Sequence, residues 1–237
     1  MSGRAQKAKP SIRLWGAVRV WAWLFMASAA LAVVASGYRV WLLAQIPGDT
    51  PMGEYDLLSD YVVGAEAELW TSAVAGLLNF ATYVVAAFLV LKWYLRSLRN
   101  AHALYAGVET SPKWAIWGFI VPVLSLWKPY SMTSELWRSS QSAERWKGMP
   151  DPSLLRWWWG AVLAGGFCGT AANIMVRGAR TASQMLASDA ALIASFLISI
   201  VAGLLFLRIG RAISCGQTEL ITSGGAAPAT RLPGWAP

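Results

Sequence analysis

Few side chains in this sequence have the means to do chemistry. His102, Lys128, Glu135 and Arg138 fall between the second and third long apolar runs. An imidazole, an amine, a carboxylate and a guanidinium gathered at a membrane surface would suit an enzyme acting on lipid headgroups. The spacing gives that reading little support. Glu135 and Arg138 are three apart on one helical stretch, where an ordinary ion pair is expected. His102, the only histidine, reads as an interfacial polar residue beside Arg96 and Arg99. There is no Gly-x-Ser-x-Gly, His-Glu-x-x-His, phosphate-binding loop or paired-carboxylate spacing. Cys168 lies inside an apolar run and Cys215 just beyond another, so neither a disulfide nor a zinc site is expected. No catalytic, cofactor or metal-binding residue is therefore assigned, and no cofactor is implied.

Composition places the elements around these residues in a membrane. Of 237 residues 56% are hydrophobic and only 14% charged, where a soluble domain carries about a quarter charged. Mean hydropathy is +0.44. The net charge of +8 flanks apolar runs and forms no basic domain, which argues against nucleic acid as a partner and for the lipid bilayer.

Four uncharged runs are long enough to span: 20–38, 69–91, 157–176 and 190–207. Nineteen residues at about 1.5 Å each cover roughly the 30 Å hydrocarbon core. The first run has a signal peptide as its rival, but it is long and carries Trp21, Trp23 and Phe25. The expected layout is a basic N-terminus over 1–19, one membrane domain over 20–217 and a flexible tail over 218–237. With the N-terminus cytoplasmic, seventeen of the twenty basic residues lie inside and only Arg39, Arg177 and Arg180 outside, so both termini are expected inside. Half of the twelve acids sit in the loop 47–68, which is then external. Tryptophans 15, 21, 23, 41, 70, 93 and 157–159 fall near span ends, as an aromatic belt requires. Asn79 and Thr82, polar residues within the second run, are expected to make interhelical hydrogen bonds.

Small residues mark how the spans associate. The fourth run has Ser195, Ser199 and Gly203, and the third has Gly165 and Gly169, at intervals of four. Such stripes let backbones approach closely, and the two are expected to face each other. The rival use of these stripes is a homo-oligomer interface.

The remaining apolar stretch, 114–127, is about 21 Å as an ideal helix and too short to span. Pro122 breaks it, and Lys113 and Lys128 bracket it on the same side. It is expected to lie in the cytoplasmic interface or to re-enter it. Pro129 suits the start of a new helix, and 130–147 reads as an amphipathic surface helix. Asn100 is expected to cap the turn before the motif. After a stretch of Arg96 or Arg99 with Asn100, the residues Trp114, Trp117, Gly118, Phe119, Pro122, Leu126, Trp127, Pro129, Glu135, Leu136 and Trp137 form the pattern W-x-x-G-F-x-x-P-x-x-x-L-W-x-P…E-L-W. This resembles the signature of the bacterial membrane-protein family called domain of unknown function 4328; the motif segment is 112–147, and the resemblance extends over the multi-span layout roughly from the first span to Gln217. The resemblance implies an all-α integral membrane protein of the bacterial plasma (inner) membrane. It implies no activity.

Three function classes remain. A non-enzymatic scaffold or regulatory protein, docking a protein partner or sensing the membrane at its cytoplasmic face, accounts best for the pattern. A small transporter or channel subunit lacks intramembrane charges between the ends of spans two to four. A membrane-surface enzyme lacks a recognisable motif.

Overall fold

The computed structural model describes residues 8–53, 56–104, 107–141 and 146–223. Among these the chain is all-helical, with no strand beyond an isolated bridge between Pro51 and Thr181. The helices are α1 (Ile12–Leu43), α2 (Glu66–Leu104), α3 (Trp114–Ile120), α4 (Lys128–Gln141), α5 (Ser153–Gly178) and α6 (Ala182–Thr222). Four of them, α1, α2, α5 and α6, are long and apolar enough to cross a membrane. The protein is a multi-pass membrane protein.

These helices outrun their uncharged segments. The 39 residues of α2 and the 41 of α6 extend about 58 and 61 Å, roughly twice the hydrocarbon thickness. A charge ends an apolar run without ending the helix, because Lys and Arg are good helix formers. Residues 12–19 and 218–222, expected as a flank and a flexible tail, are consequently helical; residues 1–7 and 224–237 lie outside the described residues. The chain forms two compact units. One comprises Met1–Val20, Ala87–Arg156 and Leu205–Pro237, and the other Trp21–Ala86 and Trp157–Leu204.

The second unit holds most of the apolar runs. Its α1 buries Ala22, Met26, Ala29, Ala32 and Ala35, a small-residue face that permits close packing. Ser28 Oγ lies 2.7 Å from Thr82 Oγ1, and Asn79 Nδ2 donates to Ser28 Oγ at 3.3 Å, so the polar residues of α2 tie it to α1. Ser195 Oγ donates to the Gly165 carbonyl at 2.9 Å. A Cβ at Gly169 would stand 2.9 Å from Ser195 Oγ, and one at Gly165 3.3 Å from Ser199 Oγ. Gly203 departs from the expected pairing with α5: its α-carbon faces Met26 of α1, whose Sδ would be 2.8 Å from an added Cβ. Positions four apart on a 3.6-residue helix advance about 40° per step, so the stripe has turned about 80° between Ser195 and Gly203.

Three charges edge this unit, each adjoining an uncharged run. Arg39 Nε is 3.0 Å from Asp189 Oδ2, and its Nη1 is 3.4 Å from Glu68 Oε1. Ser72 Oγ adds a 2.8 Å hydrogen bond to Glu68. One guanidinium thus joins the ends of α1, α2 and α6. The acidic loop is folded beyond its turns: Met52 N donates to Arg180 O at 3.0 Å and Ala182 N to Thr50 O at 3.2 Å. Met52, Leu58 and Ala65 share a small core with Leu42, Leu43, Ile46, Ala179, Ala182 and Met185.

The first unit is built on an aromatic centre. Trp15 lies 5.4 Å from Trp93 and 5.8 Å from Phe206 between ring centroids, and Trp93 Nε1 donates to Ser214 Oγ at 2.9 Å. The end of α6 contributes Phe206, Ile209, Ile213 and Leu220, all buried, at helical spacing. Helix α4, expected as an amphipathic surface helix, is buried on several sides. Met132, Thr133, Ser134, Glu135, Leu136, Trp137, Ser139 and Ser140 are all buried. Thr133, Ser134, Glu135, Ser139 and Ser140 all bond within the fold, which lessens the need for a wet face. Residues 142–145, including Arg145, lie outside the described residues.

Candidate functional site

The motif folds into a short helical hairpin in the first unit. Gly107, with φ of 76°, makes the turn that follows α2, a left-handed conformation that glycine adopts without steric cost. Helix α3 begins after Pro112 and stops at Ile120. Val121 is extended (φ −76°, ψ 116°), the geometry imposed on a residue preceding proline. Pro122 therefore ends α3 by acting on its neighbour. A 3₁₀ turn, Leu124–Leu126, reverses the chain, and α4 begins at Lys128 with Pro129 in its first turn, where no amide donor is needed.

Gly118 closes the hairpin. A Cβ there would stand 3.1 Å from Lys128 Cγ. The lysine stem crosses the glycine and sets its Nζ 5.2 Å from the Trp114 ring centroid, a cation–π arrangement. Phe119 packs against Tyr94 at 5.4 Å. Tyr94 Oη lies 2.7 Å from Thr133 Oγ1, which in turn donates to Pro129 O at 2.6 Å. Trp117, Pro122 and Trp127 are exposed, whereas Pro129 and Trp137 are buried.

The ionisable and polar residues serve the backbone. Glu135 accepts from Glu109 N at 2.6 Å and Thr110 N at 3.0 Å. It makes no ion pair with Arg138, because its two oxygens are turned to the connection before α3. Arg138 Nε sits 3.5 Å from Asp151 Oδ1 instead. Asp151 also accepts from Tyr130 Oη at 3.0 Å and Ser134 Oγ at 2.5 Å. Burial, and after it the hydrogen bond to Asp151, raise the Tyr130 hydroxyl above the usual tyrosine range. His102 Nε2 is 2.9 Å from the Thr110 carbonyl oxygen.

Asn100 does not cap a turn, since α2 runs four residues past it. Its Oδ1 accepts from Lys9 N at 3.2 Å, and its Nδ2 donates to Lys9 O at 2.9 Å and Gln217 Oε1 at 3.4 Å. Gln217 Nε2 donates to Ser97 O at 3.0 Å. Sequence reasoning missed Lys9, Asp151 and Gln217 as partners. The run Phe206, Ile209, Ile213, Gln217, Leu220 carried a usable signal, a three-and-four spacing that continues beyond Arg208.

The hairpin thus brings together Trp114, Gly118 and Lys128, while Glu135 and Asn100 each hold a separate chain segment. Gly165, Gly169, Ser195, Ser199 and Gly203 belong to helix packing in the second unit. A family model described as Domain of unknown function (DUF4328) matches residues 57–214, which contain the whole hairpin. No curated protein and no solved structure matches the chain.

Proposed function

Because the chain belongs to the family described as Domain of unknown function (DUF4328), we propose from its own residues that it is a non-enzymatic scaffold or regulatory protein of the bacterial plasma membrane. Both termini and the hairpin face the cytoplasm, where the hairpin reads the membrane surface or a partner docked there. The observation that carries this reading is how the motif's polar groups are used. Glu135 holds two backbone amides, His102 a carbonyl and Asn100 both backbone groups of Lys9. An active site needs such groups turned toward a substrate; here apolar side chains are turned outward instead.

The charge distribution supports the orientation. Seventeen of the twenty basic residues belong to the first unit and three to the second, the asymmetry expected when the first unit is cytoplasmic. Single cysteines at Val123 and at the fully exposed Val63, in a chain lacking Cys168 and Cys215, test it in intact cells. Val63→Cys should react with an impermeant maleimide and Val123→Cys should not. Reconstituted vesicles test the activity: the protein should produce neither solute flux nor lipid conversion above protein-free controls. Flux proportional to protein would establish a transporter or channel, and time-dependent lipid conversion an enzyme.

A further inference from the structure

We propose that the hairpin is a shallow wedge that seats in an anionic phospholipid leaflet, an inference that rests on the cytoplasmic-face reading and names the partner of that same site. Three observations carry it. First, Ile116, Trp117, Ile120, Val123, Leu126 and Trp127 are each between 41% and 64% exposed. They lie within a dozen residues, and so many large apolar groups held out together mark an interaction surface.

Second, four successive carbonyls of the turn, those of Val121, Pro122, Val123 and Leu124, each accept a hydrogen bond from within it. Val121 N donates to Trp117 O, Ser125 N to Val121 O, Leu126 N to Val123 O, Trp127 N to Leu124 O and Ser131 N to Trp127 O, all between 2.8 and 3.3 Å. Ser125 Oγ also donates to Pro122 O at 2.7 Å. Lipid does not hydrogen-bond and makes each open group costly, so carbonyls paired in this way suit a turn that faces it.

Third, the wedge is cationic at its base. Lys113 is exposed and Lys128 stands over Trp114; no aspartate or glutamate occurs from 111 to 134. Seven-residue α3 is about 10 Å long, matched to the 5–10 Å depth of interfacial helices and far short of the core. Apolar tip, paired carbonyls and basic base together select a leaflet rich in anionic headgroups over a protein groove.

The test uses the full chain with Cys168→Ala, Cys215→Ala and a nitroxide-labelled Val123→Cys. The protein is reconstituted in nanodiscs of phosphatidylcholine alone or with added phosphatidylglycerol. In the anionic discs the label should be relaxed by oxygen and shielded from a water-soluble nickel chelate. Lys113→Gln and Lys128→Gln should each lower the seated population about fivefold, and added salt should do the same. At Lys128, glutamine keeps the Cβ and Cγ that lie against Gly118 and removes the charge over Trp114, so the contact between the two arms is retained. Access to nickel in both discs would overturn the wedge. Shielding from both reagents would replace lipid with a protein contact, and equal seating in both lipids would overturn the anionic preference. The flux and lipid-conversion assays judge the scaffold reading separately from these outcomes.

Discussion

Gly216 marks a close backbone approach between α4 and α6, and replacing it with alanine tests whether the motif unit is closed as described. A Cβ at this position would overlap Ser140 O and stand 3.1 Å from the Ser140 carbonyl carbon. The obstacle is main chain, so no rotamer change relieves it; the helices must part by on the order of 1 Å to restore contact distances. Overpacking of this kind costs about 1–3 kcal/mol, and a rigid backbone contact belongs at the upper end. Against it stands about 1 kcal/mol from replacing glycine by alanine within a helix. The net expectation is a loss of about 2 kcal/mol, or roughly 4–8 °C in Tm for a chain of this size. Two other glycines calibrate the measurement. Gly76 has nothing within 4 Å of an added Cβ, so Gly76→Ala should keep the helical gain. Gly203 meets the Met26 thioether, a flexible group able to move, so Gly203→Ala should change little. Thermal unfolding of all three variants in one detergent should rank Gly76→Ala above wild type, Gly203→Ala near it and Gly216→Ala clearly below. If Gly216→Ala melted at or above Gly76→Ala, the close packing of α4 on α6 would be wrong.

Arg39→Met should cost about 3–5 kcal/mol by stranding Glu68 and Asp189, both buried. The triple change with Glu68→Gln and Asp189→Asn should recover most of that stability, and melting of the two variants side by side checks it. Glu135→Ala removes the acceptor of two backbone amides, one of them on buried Thr110, and should destabilise by about 2–4 kcal/mol. Hydrogen exchange should show the Glu109 and Thr110 amides opening first. Asn100→Ala frees both backbone groups of Lys9; a loss of about 1–2 kcal/mol should come with faster exchange at the Lys9 amide while the centre of α2 stays protected.

The four membrane-crossing helices were legible because an uncharged run of twenty residues has few other physical meanings. Asn79 and Thr82 were legible for a related reason, since a polar group inside such a run must find a partner on another helix. Helix ends were not, because charge marks the edge of lipid while helix propensity passes through it, as at Lys92 in α2 and Arg208 in α6. The motif's breaks were readable from Pro122 and Gly118, whose effects are local. The roles of Glu135 and Asn100 were hidden, because each bonds to a backbone group that has no sequence signature. Glu135 reaches residues 109 and 110 across 25 positions or more, and Asn100 reaches Lys9 across 91. Spacing rules speak only to neighbours on one helix, and they suggested an Arg138 partner that the fold gives to Asp151.

The residue types of the motif follow from making a hairpin that is rigid and apolar at its turn. Rigidity needs a stop that does not depend on solvent, which Pro122 supplies by holding Val121 extended. Closure needs room for a side chain between the two arms, which Gly118 supplies for the Lys128 stem. The arm that returns must then be held from beneath, and Tyr94, Thr133 and Pro129 do so through successive hydrogen bonds. With these constraints met inside, Trp117 and Trp127 are released from packing and remain at the surface. A tryptophan kept exposed by a scaffold that buries Trp93 and Trp137 completely or nearly so is what the proposed wedge requires. Its amphipathic ring suits the boundary between acyl chain and headgroup better than either bulk phase.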